Sequence, residues 1–379
     1  MLELIYWLSF AVLLYTYFGY PVLMLIIGKR KPDYRRDETF LPKVSLLICA
    51  YNEKDVIREK LENALATDYP GDKFEIVVVS DGSTDGTNEI IESFHDPRLK
   101  FFTYTDRGGK AKALNTGMKH LTGDIAVLTD ANVLFENDAI KKLAIYFSGE
   151  SIGCVVGNVI LRSKDGTIVG EGVYSRYEKA VHTAEGNFNT MITVDGAMYA
   201  MRRKHLAPVP PDSLTDDWYL ATGVLGLNKK IIYAPEAVGY EHAAESVAGE
   251  FKRKVRMIAG GYQTAFRRAD VFLNPFKYPI ISFMFFSHKL LRWTAMFFMA
   301  ALCVSNLPLV FCGSWYQLTF AGQGIFYGFA LMGWLYSERL KSPPFYIPYY
   351  FTAVNWAAVM GLIKYLTGGQ KVTWERGRN

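Results

Sequence analysis

Cysteine is scarce in this chain: its 379 residues hold four, Cys49, Cys154, Cys303 and Cys312. None forms a close CxxC pair, so no zinc-binding or dithiol spacing is present. Cys49 falls inside an apolar run, which suits a reduced structural thiol. Two nucleotide-binding signatures are missing as well. There is no GxxxxGK[ST] loop, and no GxGxxG follows the first apolar run, which speaks against a P-loop enzyme and a dinucleotide oxidoreductase. Charge is nearly balanced, with a net +5, too mild to argue for a nucleic-acid partner. Neither internal repeats nor low-complexity tracts occur, and between Asp33 and about Asp270 no segment is apolar enough to cross a bilayer.

What is abundant is apolar and aromatic residues, at 50% and 15% of the chain. They are concentrated at the two ends. Leu2 to Ile27 carries a single charge, Glu3, and is long enough to span a membrane. It lacks a basic start and a small-residue cleavage site, so it reads as a retained helix rather than a signal peptide. Lys29, Arg30, Lys31, Arg35 and Arg36 follow, which places that end in the cytoplasm. Three further candidate spans lie at about 290–312, 316–336 and 345–366. The expected layout is a transmembrane helix over 1–28, a cytoplasmic domain over 29–270, C-terminal transmembrane helices over 288–368 and a tail over 369–379. Residues 271–287, rich in phenylalanine, fit either an interfacial helix or the start of the next span. Four spans would export Lys371, Arg376 and Arg378, against the positive-inside tendency, unless one C-terminal segment is re-entrant.

Within 29–270 the pattern is βαβα. Apolar runs at Val44–Ala50, Phe74–Val79, Leu99–Tyr104 and Ile125–Thr129 alternate with helical stretches, which predicts an α/β fold with a mostly parallel sheet. Beyond Ser151 the pattern loosens to a strand near 154–160, a helix near 171–185 and a strand near 192–201. In such sheets ligands bind beyond the carboxyl ends of the strands. Polar residues cluster there. Asp130 and Asn132 stand two apart after the fourth run and suit a hard divalent cation that bridges phosphates, or Asp130 simply caps the next turn. Asp81, in a glycine-flanked turn, either accepts hydrogen bonds from a nucleotide or closes a strand-to-helix turn. Lys110 follows two glycines at a helix start, where a cation works against the helix dipole, and so marks a phosphate site.

Asp216 and Asp217 form an adjacent acid pair. Confinement would raise the pKa of one, as a general base requires; alternatively they are first-turn acids behind an N-cap Thr215. The basic stretch 251–268 contacts anionic lipid or, through Arg253 and Arg256 three residues apart, clamps a diphosphate leaving group.

Taken in order, Ala50-Tyr51-Asn52-Glu53, Asp81-Gly82-Ser83-Thr84-Asp85, Gly109-Lys110, Thr129-Asp130-Ala131-Asn132, Asp195-Gly196-Ala197-Met198-Tyr199 and Thr215-Asp216-Asp217 resemble family 2 glycosyltransferases of the GT-A fold. The flanking helices resemble the membrane-bound branch that includes cellulose, hyaluronan and poly-N-acetylglucosamine synthases. The resemblance implies an inverting glycosyltransferase that uses a nucleotide-sugar donor, expected to be a UDP-sugar. Asn52, Glu53 and Asp81 would hold the nucleoside, Lys110, Arg253 and Arg256 the diphosphate, and Asp130 with Asn132 the Mg²⁺ or Mn²⁺ of the family's DxD site, Asp130 being the metal ligand. Asp195, Gly196 and Asp216 would meet the acceptor, and Asp217 would be the base.

It further implies a lipid-linked glycan or polysaccharide acceptor and an integral protein of a bacterial inner membrane, in contact with its lipids. Two departures stand out. DxD has become Asp130-Ala131-Asn132, with one anionic ligand fewer. The QxxRW motif of processive synthases reads Arg253-Lys254-Val255-Arg256-Met257 here, which favours adding one or a few sugars over a processive synthase with a translocation channel. A transporter with a cytoplasmic regulatory domain is the remote alternative.

Overall fold

The structure is a computed structural model, and it describes residues 1–30, 32–163, 173–242, 247–336 and 342–370. Lys31, Lys371, Arg376 and Arg378, invoked above for membrane orientation, lie outside the described residues. The chain forms two compact units: a sheet unit built from 24–245 and 264–277, and a helical unit built from 1–23, 246–263 and 278–370.

Among the described residues, eight strands make up the sheet unit: β1 (Val44–Ala50), β2 (Phe74–Asp81), β3 (Leu99–Tyr104), β4 (Ile125–Asp130), β5 (Val133–Phe135), β6 (Ile152–Arg162), β7 (Met198–Arg202) and β8 (Lys230–His242). Their order is β3-β2-β1-β4-β7-β6-β8-β5. The first four run parallel, as continuous β-branched and leucine-rich runs dictate when both faces are covered. Their carboxyl ends share one edge: Ala50 pairs with Ser80, Asp81 with Tyr104, and Cys49 with Asp130.

The second half of the sheet is mixed rather than parallel. β7 runs antiparallel to β4 and to β6, so it presents its amino end at that same edge, with Thr129 opposite Met198. β6 and β8 pair in parallel, and β5 and β8 antiparallel, with Val133 opposite Glu241. A bulge interrupts the β6–β8 ladder. Gly157 pairs with Ala234 but Asn158 with Val238, so three residues of β8 are looped out, which bends the strand.

The strand expected over 192–201 covers only 198–202. Its first half is spent elsewhere: the Met191 N–H donates to the Ile231 carbonyl, and the Trp218 indole N–H donates to the Ile192 carbonyl at 2.8 Å. Those residues form a loop that carries Asp195 and Gly196 to the rim.

Among the described residues of the helical unit, three stretches are long and apolar enough to cross a membrane: Leu2–Ile27, Pro279–Leu309 and Ser314–Leu335. Residues 279–287 run without a break into the second of these. A fourth helix, Pro343–Thr367, lies antiparallel to the third, with Phe329 against Phe345 and Phe326 against Phe351. Prolines 343, 344 and 348 and several tyrosines dilute its apolar character. Helix Val247–Arg267 joins the bundle through Ile258 and Tyr262, which pack on Ala358, Leu362, Tyr365 and Trp293.

Candidate functional site

The loops after β1 and β2 are stitched together at the rim. Asn52 takes a left-handed φ of 53°, and its side-chain oxygen accepts from the Thr84 N–H at 2.8 Å. The Asn52 and Glu53 N–H groups donate to the hydroxyls of Ser83 and Thr87. Glu53 is thereby buried. Asp81 is tied just as closely: Tyr104 and the N–H groups of Gly108 and Gly109 all donate to its carboxylate at 2.7–2.8 Å. Asp81 therefore fixes the loop that leads into the Lys110–Met118 helix, a task beyond the nucleoside contact expected of it.

Lys110 is the hub. Its ammonium meets Asp130 at 2.7 Å and Asp216 at 3.5 Å. Burial opposes its charge, but Asp130, Asp216 and Asp217 more than reverse that and hold it protonated well above the ordinary lysine range. Around Cys49, midway along this rim, gather Lys110, Asp216, Asp130 and Asp81; burial first, and these acids with it, keep its thiol neutral. Acids from three separate segments thus converge on one rim of the sheet.

Asp216 and Asp217 open the helix Asp216–Gly223. Thr215 stands at its N-cap position but makes no side-chain cap; its hydroxyl instead pairs with Thr264 at 3.2 Å. Burial, then the neighbouring Asp216, drives the Asp217 carboxyl well above the ordinary carboxylate range, against the pull of Lys110 and of the Trp218 N–H. Gly196 lies directly against this acid. A Cβ there would collide with the Asp217 carboxylate and come within 2.7 Å of its Cβ. Asp195 is exposed beside it and accepts from the Ala197 N–H at 3.2 Å.

Behind the rim sits a residue the sequence reading passed over. Lys60 is fully buried, on the apolar stripe Ile57, Lys60, Leu61 and Ala64. It donates to the Val133 carbonyl and, at 3.4 Å, to the Thr129 hydroxyl, with its ammonium 4.0 Å from the Phe135 ring centroid. It thus braces both sides of the Asp130-Ala131-Asn132 turn. Thr129 carries the brace onward by donating to the Ala197 carbonyl at 2.8 Å. A lysine at the i+3 position of an apolar stripe was the signal in the sequence. Glu241 was missed too, because β8 was not anticipated; Asn132 donates to its carboxylate at 3.1 Å.

Arg253 and Arg256 belong to the helical unit, where Arg253 forks onto Glu250 at 2.7 and 2.9 Å.

A rim of converging acids, a charged lysine and a carboxyl of raised pKa suits a sugar-transferring enzyme, and similarity to known proteins agrees. Residues 45–206 match the model of Glycosyl transferase family 2. A poly-beta-1,6-N-acetyl-D-glucosamine synthase of Staphylococcus aureus is 28% identical over 292 residues, 74% of this chain and 68% of that one. A synthase of the same name from Staphylococcus epidermidis is 27% identical over 234 residues, 59% of this chain and 56% of that one. Among solved structures, a mannosyltransferase from Pyrobaculum calidifontis, in complex with GDP-Man and Mn2+, superposes with a TM-score of 0.74 at 25% identity, covering 98% of this chain and 100% of that one. Residues 45–206 thus resemble family 2 glycosyltransferases, the fold is of the GT-A type, and the chain is an integral membrane protein with helices long and apolar enough to span.

Proposed function

We propose that this enzyme transfers a sugar from a nucleoside diphosphate donor, first among them a UDP-sugar, to a lipid-linked or polysaccharide acceptor, with inversion at the anomeric carbon. The reading rests above all on one observation: Lys110 joins Asp130 to Asp216, next to the raised carboxyl of Asp217. Asn52, Glu53 and Asp81 frame the nucleoside end. Lys110 meets the diphosphate. Asp195, Gly196 and Asp216 form the acceptor side, where Asp217 takes the proton from the attacking hydroxyl.

The donor set fits a divalent cation. The Asp130 carboxylate and the Asn132 side-chain oxygen are hard oxygen ligands, suited to Mg²⁺ or Mn²⁺ rather than to a soft metal. Such an ion, when bound, neutralises charge that builds on the departing diphosphate. The rest falls to the chain: Lys110 balances Asp130 and Asp216, and burial keeps Asp217 basic enough to accept a proton near neutral pH.

The polysaccharide reading draws on the staphylococcal relatives, and the metal on the archaeal neighbour's Mn2+. Loss of the QxxRW pattern favours short addition over processive synthesis. The basic residues after the first span favour a cytoplasmic sheet unit on a bacterial inner membrane.

Release of nucleoside diphosphate from a panel of UDP-, GDP- and TDP-sugars by the detergent-purified chain tests the donor. Product length on a gel tests processivity: a single added sugar supports the reading, and a long ladder refutes it. Release by Asp217→Asn as fast as by the parent would remove the base assignment.

A further inference from the structure

We propose that Glu241 is a positioning residue for the cation site: it holds the Asn132 amide so that the side-chain oxygen of Asn132 faces the cation beside Asp130. The inference rests on the cation reading above and extends it to a strand that the motif does not include.

Asn132 stands where the family's DxD pattern has its second aspartate. An aspartate presents oxygen in either orientation. An asparagine presents oxygen on one side and an NH₂ on the other, and a flipped amide would turn two donors toward a cation. The position therefore works as a ligand only if something fixes the flip. Glu241 does so. Its carboxylate only accepts hydrogen bonds, so the contact at 3.1 Å must come from the Asn132 amide nitrogen, which turns the oxygen away from Glu241.

The backbone makes this arrangement durable. β5 begins at Val133, one residue after Asn132, and Val133 pairs directly with Glu241. The pairing brings the backbones of the two residues close, and the 3.1 Å contact shows that their side chains meet there. The Glu241 side chain is half-buried, where a charge-assisted hydrogen bond outlasts competition from water. From the far side Lys60 grips the Val133 carbonyl, so the turn is held on both flanks. Glu241 also places a negative charge one residue from the position where asparagine has replaced an acid. Groups that orient a metal's ligands typically change its affinity by 10- to 100-fold when removed.

Mn²⁺ alone, titrated into the detergent-purified full chain and followed by electron paramagnetic resonance, reads this without any turnover. Glu241→Met keeps the side-chain bulk and removes the acceptor. It should weaken Mn²⁺ binding by about 10- to 100-fold. Glu241→Gln keeps an oxygen that accepts from Asn132, and should stay within about threefold of the parent. In an Asn132→Ala background Glu241→Met should change little, because the residue acts through Asn132.

Asp130→Ala separates the two layers of the argument. If it leaves Mn²⁺ affinity unchanged, the cation reading itself fails. If it abolishes binding while Glu241→Met stays within about twofold of the parent, only the Glu241 inference falls. Equal losses for Glu241→Met with and without Asn132, or equal losses for the Gln and Met variants, also overturn it.

Discussion

The two halves of the sheet reach the site differently. β1 to β4 are parallel neighbours, and each delivers its loop from a carboxyl end, so Asn52, Asp81, Lys110 and Asp130 all follow strands of one direction. In the other half β7 runs the opposite way while β6 and β8 resume the first direction, so this half contributes the amino end of β7 and the carboxyl end of β8. On our reading the first half holds the donor and the second the acceptor and the base. The chemistry then happens at the seam between β4 and β7, where the chain changes direction. A reversed strand adds a second set of side chains to an edge already crowded with loops, without lengthening any of them.

This division can be broken by substitutions that should separate transfer from donor binding. Asp217→Asn should lower kcat by about 10²- to 10⁴-fold, the range for removing a general base, while nucleotide affinity stays near the parent's. Calorimetry with the nucleoside diphosphate beside turnover assays checks both halves of that statement. Gly196→Ala should lower kcat by about 100-fold, because its methyl group displaces the Asp217 carboxylate by a fraction of an ångström or more. Donor binding should again survive; a matching loss of nucleotide affinity would mean the two halves are not separable.

Lys60→Met sharpens the comparison from the donor side. Losing the bond to the Val133 carbonyl is destabilising, and removing a buried cation is stabilising, so unfolding free energy should move by less than about 1 kcal/mol. Activity should nevertheless fall several-fold as the Asp130-to-Asn132 turn loosens. The pH dependence adds a sign. Burial lowers the Lys60 pKa to about 7 in the folded chain. Between there and its unfolded value the unfolded chain binds more protons, so this group makes stability rise with pH over that window. Chemical denaturation at pH 7 and pH 10 should show the rise in the parent and lose it in Lys60→Met.

The smallest expected effect is a shift in the rate profile. Asp217 is raised to about 7, and its deprotonated form is the base, so kcat/KM for the acceptor should climb as pH passes through that region and fall below it. Lys110 pulls this pKa down, so Lys110→Met should move the limb to higher pH among whatever activity remains.

Legibility followed the same division. Each parallel strand is a local apolar run that ends in a polar loop, so β1 to β4 and their acids can be read from a few dozen consecutive residues. β8 cannot. Its thirteen residues mix Pro235, Glu236 and Gly239 with apolar ones, and its exposed side alternates irregularly because of the bulge. The loop 191–197 looked like a strand because Ile192 and Val194 are apolar, yet tertiary hydrogen bonds to β8 and Trp218 took over its backbone. Lys60 was hidden by its type: a lysine is assumed solvated until a structure supplies its carbonyl.

The looped-out residues Pro235, Glu236 and Ala237 carry a consequence for how this protein can vary. Side chains of a strand alternate between faces, so parity decides what each one meets. The three looped-out residues stand outside that alternation: removing one or two shortens the loop, and removing all three still leaves Val238 beside Asn158 and Glu241 beside Val133. Natural or engineered length changes at this point should therefore be tolerated, whereas deleting one residue just past Val238 would put His242 where Glu241 stands.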